Sequence, residues 1–168
     1  IKYLTNLTSL NLRFNNSISG EGIKHLTNLK SLYLPANQSI DENITYLNKL
    51  ESLTHYHLNE KITNDCIICL PNLTSINLYK NSFITDEACK YLTNLKYINL
   101  KKNMKITENG IKYLTNLTSL NLKSNSNIHN KDIQDLTNLT SLNLNRTLII
   151  TDKGIEKLTN LTSLKIAC

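Results

Sequence analysis

The chain lacks several features that mark common protein classes. It has no tryptophan, two prolines and four glycines among 168 residues. No apolar run approaches the roughly 20 residues that cross a bilayer, and the first residues do not resemble a secretion signal. No phosphate-binding glycine loop, paired carboxylates or Ser-His-Asp constellation can be assembled. We therefore expect a protein that is not an enzyme, has no cofactor or small-molecule substrate, and does not insert into a membrane.

Cysteine is scarce and irregularly placed, at Cys66, Cys69, Cys89 and Cys168. This clustering does not read as a disulfide framework, and it favours a reducing, intracellular compartment. Cys66 and Cys69 spell C-x-x-C, a spacing typical of redox and zinc sites, but no second pair completes four ligands. We therefore expect no metal site.

The overall charge and composition are uneven but not extreme. The formal net charge of +6 is mildly basic and far from that of an arginine-rich nucleic-acid binder. Asn, Lys and Ile are abundant while Ala and Gly are few, which indicates an AT-rich genome. Neither observation favours a nucleic-acid partner.

One short phrase, Leu-Thr-Asn-Leu-Thr-Ser-Leu-Asn-Leu, accounts for the bias in composition. Its copies are spaced 21 to 23 residues apart, which is the signature of a repeat protein. We predict one solenoid over residues 1–168, a fragment of a longer protein without polar caps. It has about seven full repeats and a partial one, starting at Leu4, Leu26, Leu47, Leu70, Leu92, Leu114, Leu136 and Leu158.

The core of each repeat, L-x-x-L-x-L-x-x-N, resembles the leucine-rich-repeat family. Leu7, Leu10, Leu12 and Asn15 form the first instance. The second half, as in residues 106–111 (I-T-E-N-G-I), resembles repeats of F-box substrate receptors and related bacterial effectors, whereas the first half is also similar to internalin-type surface proteins. The resemblance implies an α/β solenoid with a curved parallel sheet on its concave side, short helices on its convex side, and a protein-binding role.

Local chemistry supports this interpretation. Leu10 and Leu12 lie on one face of a short strand and Asn11 on the other, because strand side chains alternate. Thr85 supplies an N-cap hydroxyl, and acids follow it in a first helical turn. The asparagine that ends each core motif can satisfy backbone groups of the next repeat. We expect such a ladder from Asn15, Asn37, Asn81, Asn103 and Asn125.

The outward positions of the predicted strands and turns are strongly asymmetric in charge. They carry no Asp or Glu but seven cations, which are Arg13, Lys80, Lys101, Lys102, Lys123, Arg146 and Lys165. A concave face of this kind would attract a protein with an acidic surface. The alternative is that lysine is simply common here and that acids are drawn to helix starts.

Large aromatic and basic residues on this face are the candidate binding residues, because interface anchors have that chemistry. The Ser and Asn residues that recur between them at the outward positions are interpreted as generic surface residues that are not selected for a partner. The candidates are Arg13, Tyr33, Tyr56, Tyr79, Lys80, Tyr97, Lys101, Lys102, Lys123 and Arg146.

The third repeat breaks register, because it has one extra residue and His55 stands where a core leucine belongs. An inserted residue in a strand indicates a bulge. His55, Tyr56 and His57 are either a binding feature or a tolerated insertion. Two histidines are too few ligands for a structural zinc site.

We therefore predict a non-enzymatic module that binds a protein partner on its concave face. By resemblance, it is a substrate-recognition arm of an F-box-like protein or of a pathogen effector acting in host cytosol. An internalin-like adhesin at the cell surface is the alternative. Binding of nucleic acid or another polyanion is the weaker one, and it predicts a steep salt dependence.

Overall fold

The computed structural model describes residues 1–15, 17–34, 40, 42–55 and 62–167, without the side chain of His55. Eight short strands occur within these residues, one after each leucine-rich phrase. They form one sheet in which every strand neighbours the next one in sequence. The strands are β1 Ser9–Asn11, β2 Ser31–Leu34, β3 Ser52–His55, β4 Ser75–Asn77, β5 Tyr97–Asn99, β6 Ser119–Asn121, β7 Ser141–Asn143 and β8 Ser163–Lys165.

A short helical segment lies between consecutive strands and returns the chain to the start of the next one. Parallel strands need a crossover of this kind. Neighbouring helical segments contact one another, as the strands do. The segments are α1 Gly20–Ile23, a 3-10 helix Glu42–Tyr46, α2 Asn64–Ile68, α3 Asp86–Cys89, α4 Glu108–Ile111, α5 Asn130–Ile133 and α6 Asp152–Ile155.

All seven strand pairs are parallel, and equivalent repeat positions face each other. Ser9 pairs with Ser31, and Leu10 with Leu32. The alternation predicted from the phrase is confirmed, since Leu32 is buried while Tyr33 beside it is exposed. The backbone of His55 pairs with Leu34, in the column of core leucines. Tyr56, His57 and the predicted bulge lie outside the described residues.

The inward leucines and isoleucines form one continuous core along the solenoid. Ile76 and Ile98 stand where most repeats have leucine in the strand, and both are fully buried, so the two residue types fill this column equally well. Cys89 takes the place of an isoleucine and is fully buried. Each fully buried leucine contributes about 1.5–3 kcal/mol. Because neighbouring repeats share this core, each repeat depends on the next for its stability.

The asparagine ladder exists, but it runs in the opposite direction from the one predicted. Nδ2 of Asn103 donates to the carbonyls of Asn81 (3.0 Å) and Leu78 (3.2 Å), both in the preceding repeat. Asn125 does the same toward Asn103 at 2.8 Å. The prediction placed these bonds in the next repeat. Oδ1 of Asn103 accepts the N–H groups of Lys105 and Ile106, two and three residues later in its own turn.

Two described members of the predicted ladder differ from this pattern. Asn15, in the first repeat, accepts from Ser17 and Ile18 and is exposed. Asn81 Nδ2 is buried and has no partner among the described residues. Asn37 lies outside them. In the seventh repeat Thr147 replaces the asparagine, and its hydroxyl donates to the carbonyl of Leu122 at 2.6 Å.

A second asparagine ladder, not foreseen from the sequence, uses the Asn of the Leu-Thr-Asn phrase. Nδ2 of Asn116 donates to the carbonyl of Thr93 at 2.8 Å, one repeat back. Asn138 and Asn160 donate in the same way to Thr115 and Thr137. The two ladders run through different parts of the repeat, so the stacking of repeats is held at two places.

The sequence predicts that the Thr85 hydroxyl caps the helix that follows it, and this prediction is wrong. Thr85 is the N-cap residue of α3, but its side chain makes no capping bond. Its hydroxyl accepts instead from Asn64 of the preceding repeat at 2.9 Å, while Asn64 Oδ1 accepts the Thr85 N–H. Asp86 holds the N–H and hydroxyl of Thr107 in the same way. Thr85 therefore joins two repeats and does not cap its own helix, whereas the Thr107 hydroxyl also accepts the N–H of Asn109 and so does both.

Candidate interaction surface

The outward side chains of the strands form two columns, which we call the serine and asparagine columns. Together with the turn residues that follow them, they make the outer sheet face. The serine column contains Ser9, Ser31, Ser52, Ser75, Tyr97, Ser119, Ser141 and Ser163; the asparagine column contains Asn11, Tyr33, Thr54, Asn77, Asn99, Asn121, Asn143 and Lys165.

The residues of the asparagine column are not generic surface residues, because their side chains form hydrogen bonds that shape the turns. Oδ1 of Asn77 accepts the N–H of Tyr79 at 3.0 Å. Asn99 and Asn121 make the same bond to Lys101 and Lys123, also at 3.0 Å. An Asn side chain that bonds the backbone two residues on is an Asx turn. This column therefore directs the chain out of each strand and positions the basic residues that follow.

The residue after each of these turns has a left-handed backbone. The φ values are 55° at Lys80, 52° at Lys102, 54° at Ser124 and 57° at Arg146. Glycine occupies this region at no steric cost and asparagine at little cost, whereas other residues are disfavoured there. Three of the four positions nevertheless hold a long basic side chain.

Five basic residues on the turns after β4 to β7 make one cationic strip, which we call the turn ridge: Lys80, Lys101, Lys102, Lys123 and Arg146. All five are exposed or half-buried, and none forms an ion pair within the described part of the chain. At the other end of the strands, by contrast, Lys30 pairs with Glu51 at 2.8 Å and Lys49 donates to Asn28 at 2.8 Å. The ridge thus keeps its charge available.

Tyr79 links two members of the ridge. The Nζ atoms of Lys101 and Lys80 lie 4.7 Å and 5.5 Å from the centroid of its ring. Cations within about 6 Å of an aromatic face are attracted to it. The half-buried ring therefore holds two ammonium groups above the sheet surface.

Two more candidate tyrosines lie farther back on the sheet. Tyr33 is 40% exposed, and Tyr97 is half-buried. Burial, followed by the neighbouring Tyr33, raises the pKa of Tyr97. Arg13 stands apart at the first turn, over the ring of Phe14 at 5.1 Å. Tyr56 lies outside the described residues.

The helical side has an aromatic column that sequence reasoning missed. Tyr46, Tyr91 and Tyr113 each precede the first leucine of a phrase, and all three are exposed. The signal was available in the register, because Tyr3 occupies the same place. Mixed charges surround this column, as in the pair Lys90–Glu87 at 2.6 Å. Its chemistry differs from that of the outer sheet face, where cations stand without acids.

The remaining reactive groups do not assemble into a site within the described residues. Cys66, Cys69 and Cys89 form no disulfide among the described residues. Burial raises the pKa of Cys66, and it raises the pKa of Cys89 to about 12. Cys66 is packed in the register position of Ala88 and Gly110 while Cys69 is exposed. Among described residues, no group of three His, Cys, Asp or Glu is placed to hold a metal, and no helix is long and apolar enough to cross a membrane.

Comparison with known proteins agrees with this architecture. The leucine-rich-repeat family model matches residues 3–27 and 135–159. No curated protein matches the chain in sequence.

Solved structures match the chain over almost its whole length. The structure of internalin C2 from Listeria monocytogenes is 25% identical, with a TM-score of 0.79 over 99% of this chain and 74% of that one. A leucine-rich-repeat protein of Leptospira interrogans is 27% identical, with a TM-score of 0.69 over 98% of this chain and 44% of that one.

A third structure, from the yeast Rad7 and Elc1 complex, is 24% identical with a TM-score of 0.72, covers 96% of this chain and 50% of that one, and shows the fold alone. This chain spans half or less of the last two proteins. The F-box likeness of the second half of the repeat finds no specific support among these matches. The repeat phrase, the parallel sheet with one strand per phrase and these structural matches together show that the chain folds as a leucine-rich-repeat solenoid.

Proposed function

We propose that this chain is a non-enzymatic module that binds a protein with an acidic patch on its outer sheet face. The observation that carries the proposal is the one-sided charge of that face: seven cations, no Asp or Glu, and a turn ridge without ion pairs among the described residues. Leucine-rich-repeat proteins are typically protein-interaction modules. Complementary charge speeds encounter and suppresses wrong partners, more than it adds affinity.

Affinity in this proposal comes from Tyr33 and Tyr97. Each replaces the small residue of its column, in the asparagine and the serine column respectively. Large aromatic side chains at the centre of an interface typically contribute most of its binding energy. Tyr97 lies on β5, behind the turn ridge, and Tyr33 lies on β2 of the same face. Aromatic side chains beside a charged rim are the usual anatomy of a protein interface.

In its specific form, the proposal is a substrate-recognition arm of an F-box-like protein or a pathogen effector, working in the cytoplasm or host cytosol. The I-T-D-x-G-I half of the repeat and the lack of a disulfide among the described cysteines support this form. The alternative is a cell-surface adhesin. The likeness to internalin C2 supports that alternative.

The proposal is tested with variants that restore the consensus of each column. Tyr33→Asn and Tyr97→Ser introduce residues that the fold already accepts in neighbouring repeats, so they remove the aromatic rings without threatening the core. Affinity capture from lysate is run with the parent, this double variant and a control, Tyr113→Asp. The control introduces the residue that Asp135 provides in the same column of the helical side.

We expect a discrete protein to be captured by the parent and the control and to be lost by the double variant. Equal capture by all three chains would contradict the use of the outer sheet face. The partner, once identified, also separates the forms of the proposal: an intracellular protein supports a recognition arm, and a surface receptor supports an adhesin.

A further inference from the structure

We infer that the turn ridge is a docking strip for a short, carboxylate-rich segment of an extended polypeptide. This inference rests on the proposed function and names the part of the partner that the ridge would contact. The occupant is a run of Asp and Glu, which complements five cations that stand without acids among the described residues.

The left-handed backbone of the turns supports this inference. Lys80, Lys102 and Arg146 occupy left-handed positions where Gly or Asn would be less strained. The chain is rich in asparagine and places one immediately after Lys80 and Lys102, at Asn81 and Asn103. Local stability therefore does not account for these basic residues. Strained positions that persist in a fold point to a use for the side chain.

The exposure and positioning of the cations also support it. Lys80, Lys102 and Arg146 are exposed, and Nζ of Lys80 also lies 5.5 Å from the centroid of the Tyr79 ring. Lys101 is held by the ring of Tyr79 instead of by an acid, so its charge is positioned but not neutralised. Backbone bonds join successive turns, from Lys80 N to Lys101 O at 3.1 Å and from Lys102 N to Lys123 O at 3.1 Å. The cations are thus arranged at the repeat spacing on a continuous backbone.

The length of the strip matches that of a short extended peptide. The four turns after β4 to β7 span three strand spacings, which is about 14 Å at roughly 4.8 Å each. An extended polypeptide covers that length with about four residues. Single-stranded nucleic acids, by contrast, are bound through open aromatic platforms on which bases stack. The ring of Tyr79, beside the ridge, is already in contact with the ammonium groups of Lys80 and Lys101. An acidic peptide therefore fits the ridge better than a nucleic acid does.

The test uses two labelled probes, an oligoglutamate of about ten residues, long enough to cover the strip, and an oligothymidylate of similar length. Binding is measured by fluorescence anisotropy with the parent and the variant Lys102→Gly/Arg146→Gly. The matched control is Ser124→Gly, which changes the same backbone position in the intervening turn without removing charge. Thermal unfolding of all three chains is measured alongside.

We expect the parent to bind oligoglutamate more tightly than oligothymidylate. The double variant should lose about 2- to 5-fold in oligoglutamate affinity for each cation removed, as for exposed ion pairs, with a Tm no lower than that of the parent. Ser124→Gly should keep its affinity. Absent or unchanged oligoglutamate binding, or tighter binding of the oligothymidylate, would overturn the inference. If a protein is still captured in a manner that depends on Tyr33 and Tyr97, the proposed function survives that failure.

Discussion

The side-chain amide of Asn103 lies 3.0 Å from the carbonyl oxygen of Asn81, and this contact joins two turns of the solenoid. The same amide group donates to Leu78, and its oxygen accepts from the N–H groups of Lys105 and Ile106. Asn103 is fully buried. One side chain therefore satisfies four backbone groups, three of them in buried hydrogen bonds, which aspartate or alanine could not do.

Asn103→Ala should destabilise the chain by about 3–5 kcal/mol, because several buried backbone groups lose their partners at roughly 1 kcal/mol or more each. Asn15→Ala is the matched control, since Asn15 is exposed and bonds only its own turn among the described residues. We expect it to cost less than about 1 kcal/mol. Urea unfolding followed by circular dichroism measures both, and equal losses would show that the ladder contributes no stability between repeats.

Gly110 is required by its neighbouring repeat. A Cβ at this position would contact Asp86 Oδ1, which is the atom that accepts the N–H of Thr107 at 2.7 Å. We therefore expect Gly110→Ala to destabilise by about 1–2 kcal/mol, even though alanine favours helices. The fold accepts Ala88 at the same register position, opposite Asn64, which keeps the expected cost modest.

A double-mutant cycle separates this clash from a simple helix effect. In an Asp86→Ala background the obstructing carboxylate is gone, so Gly110→Ala should cost about 1 kcal/mol less than in the parent. Gly22→Ala, in the first full repeat, would meet only the end of the Ile1 side chain and one methyl of Ile18. The same penalty in both backgrounds would mean that Asp86 does not explain the glycine.

Cys89 should make stability depend on pH in alkaline solution. Burial, with a smaller effect of Asp86, raises its pKa to about 12, against an ordinary value near 9. Its contribution is fully present below about pH 9 and is lost as the pH rises toward 12, because the unfolded thiol ionises first. The slope is up to about 1.4 kcal/mol per pH unit.

The variant Cys89→Ile isolates this contribution, since Ile111 and Ile133 occupy the same position in the following repeats. The free energy of unfolding of the parent should fall more steeply than that of the variant between pH 9 and 12. Parallel pH profiles for the two chains would show that the thiol stays protonated in both states.

Thiol labelling should distinguish the two cysteines of the C-x-x-C sequence. In a Cys168→Ser background, Cys69 is exposed and should react rapidly with a thiol reagent, whereas the buried Cys66, whose pKa is raised, should react slowly. Both cysteines fall in the tryptic peptide 62–80, and fragmentation of that peptide by tandem mass spectrometry assigns the label to each and measures the two rates. Equal reactivity would place Cys66 at the surface and contradict the packing of α2.

Much of this fold follows from the phrase itself. The spacing of Leu29 and Leu32 assigns both to the core, because strand alternation and the repeat period leave one consistent register. The direction of the asparagine ladder could not be read in this way. Asn103 can reach a repeat on either side, and the choice depends on how neighbouring turns stack in three dimensions.

The candidate surface was predictable in chemistry but not in geometry. Alternation alone placed Tyr33 and Tyr97 outward. The left-handed backbone of Lys102 has no sequence signal, because lysine has no preference for that region. The role of Asn99 in the turn was hidden because an outward asparagine looks the same whether it bonds water or the backbone. The tyrosines of the helical side carried a clear register signal that was not used.

Hydroxyl-radical footprinting of the tyrosines, in the presence and absence of the captured partner, tests directly whether the partner binds the outer sheet face. Tyr33, Tyr79 and Tyr97 report on the outer sheet face, and Tyr46, Tyr91 and Tyr113 report on the helical side of the same molecule. We predict that the partner protects the first three from oxidation and leaves the other three unchanged. Protection confined to the helical side would contradict the assignment of the outer sheet face as the binding surface.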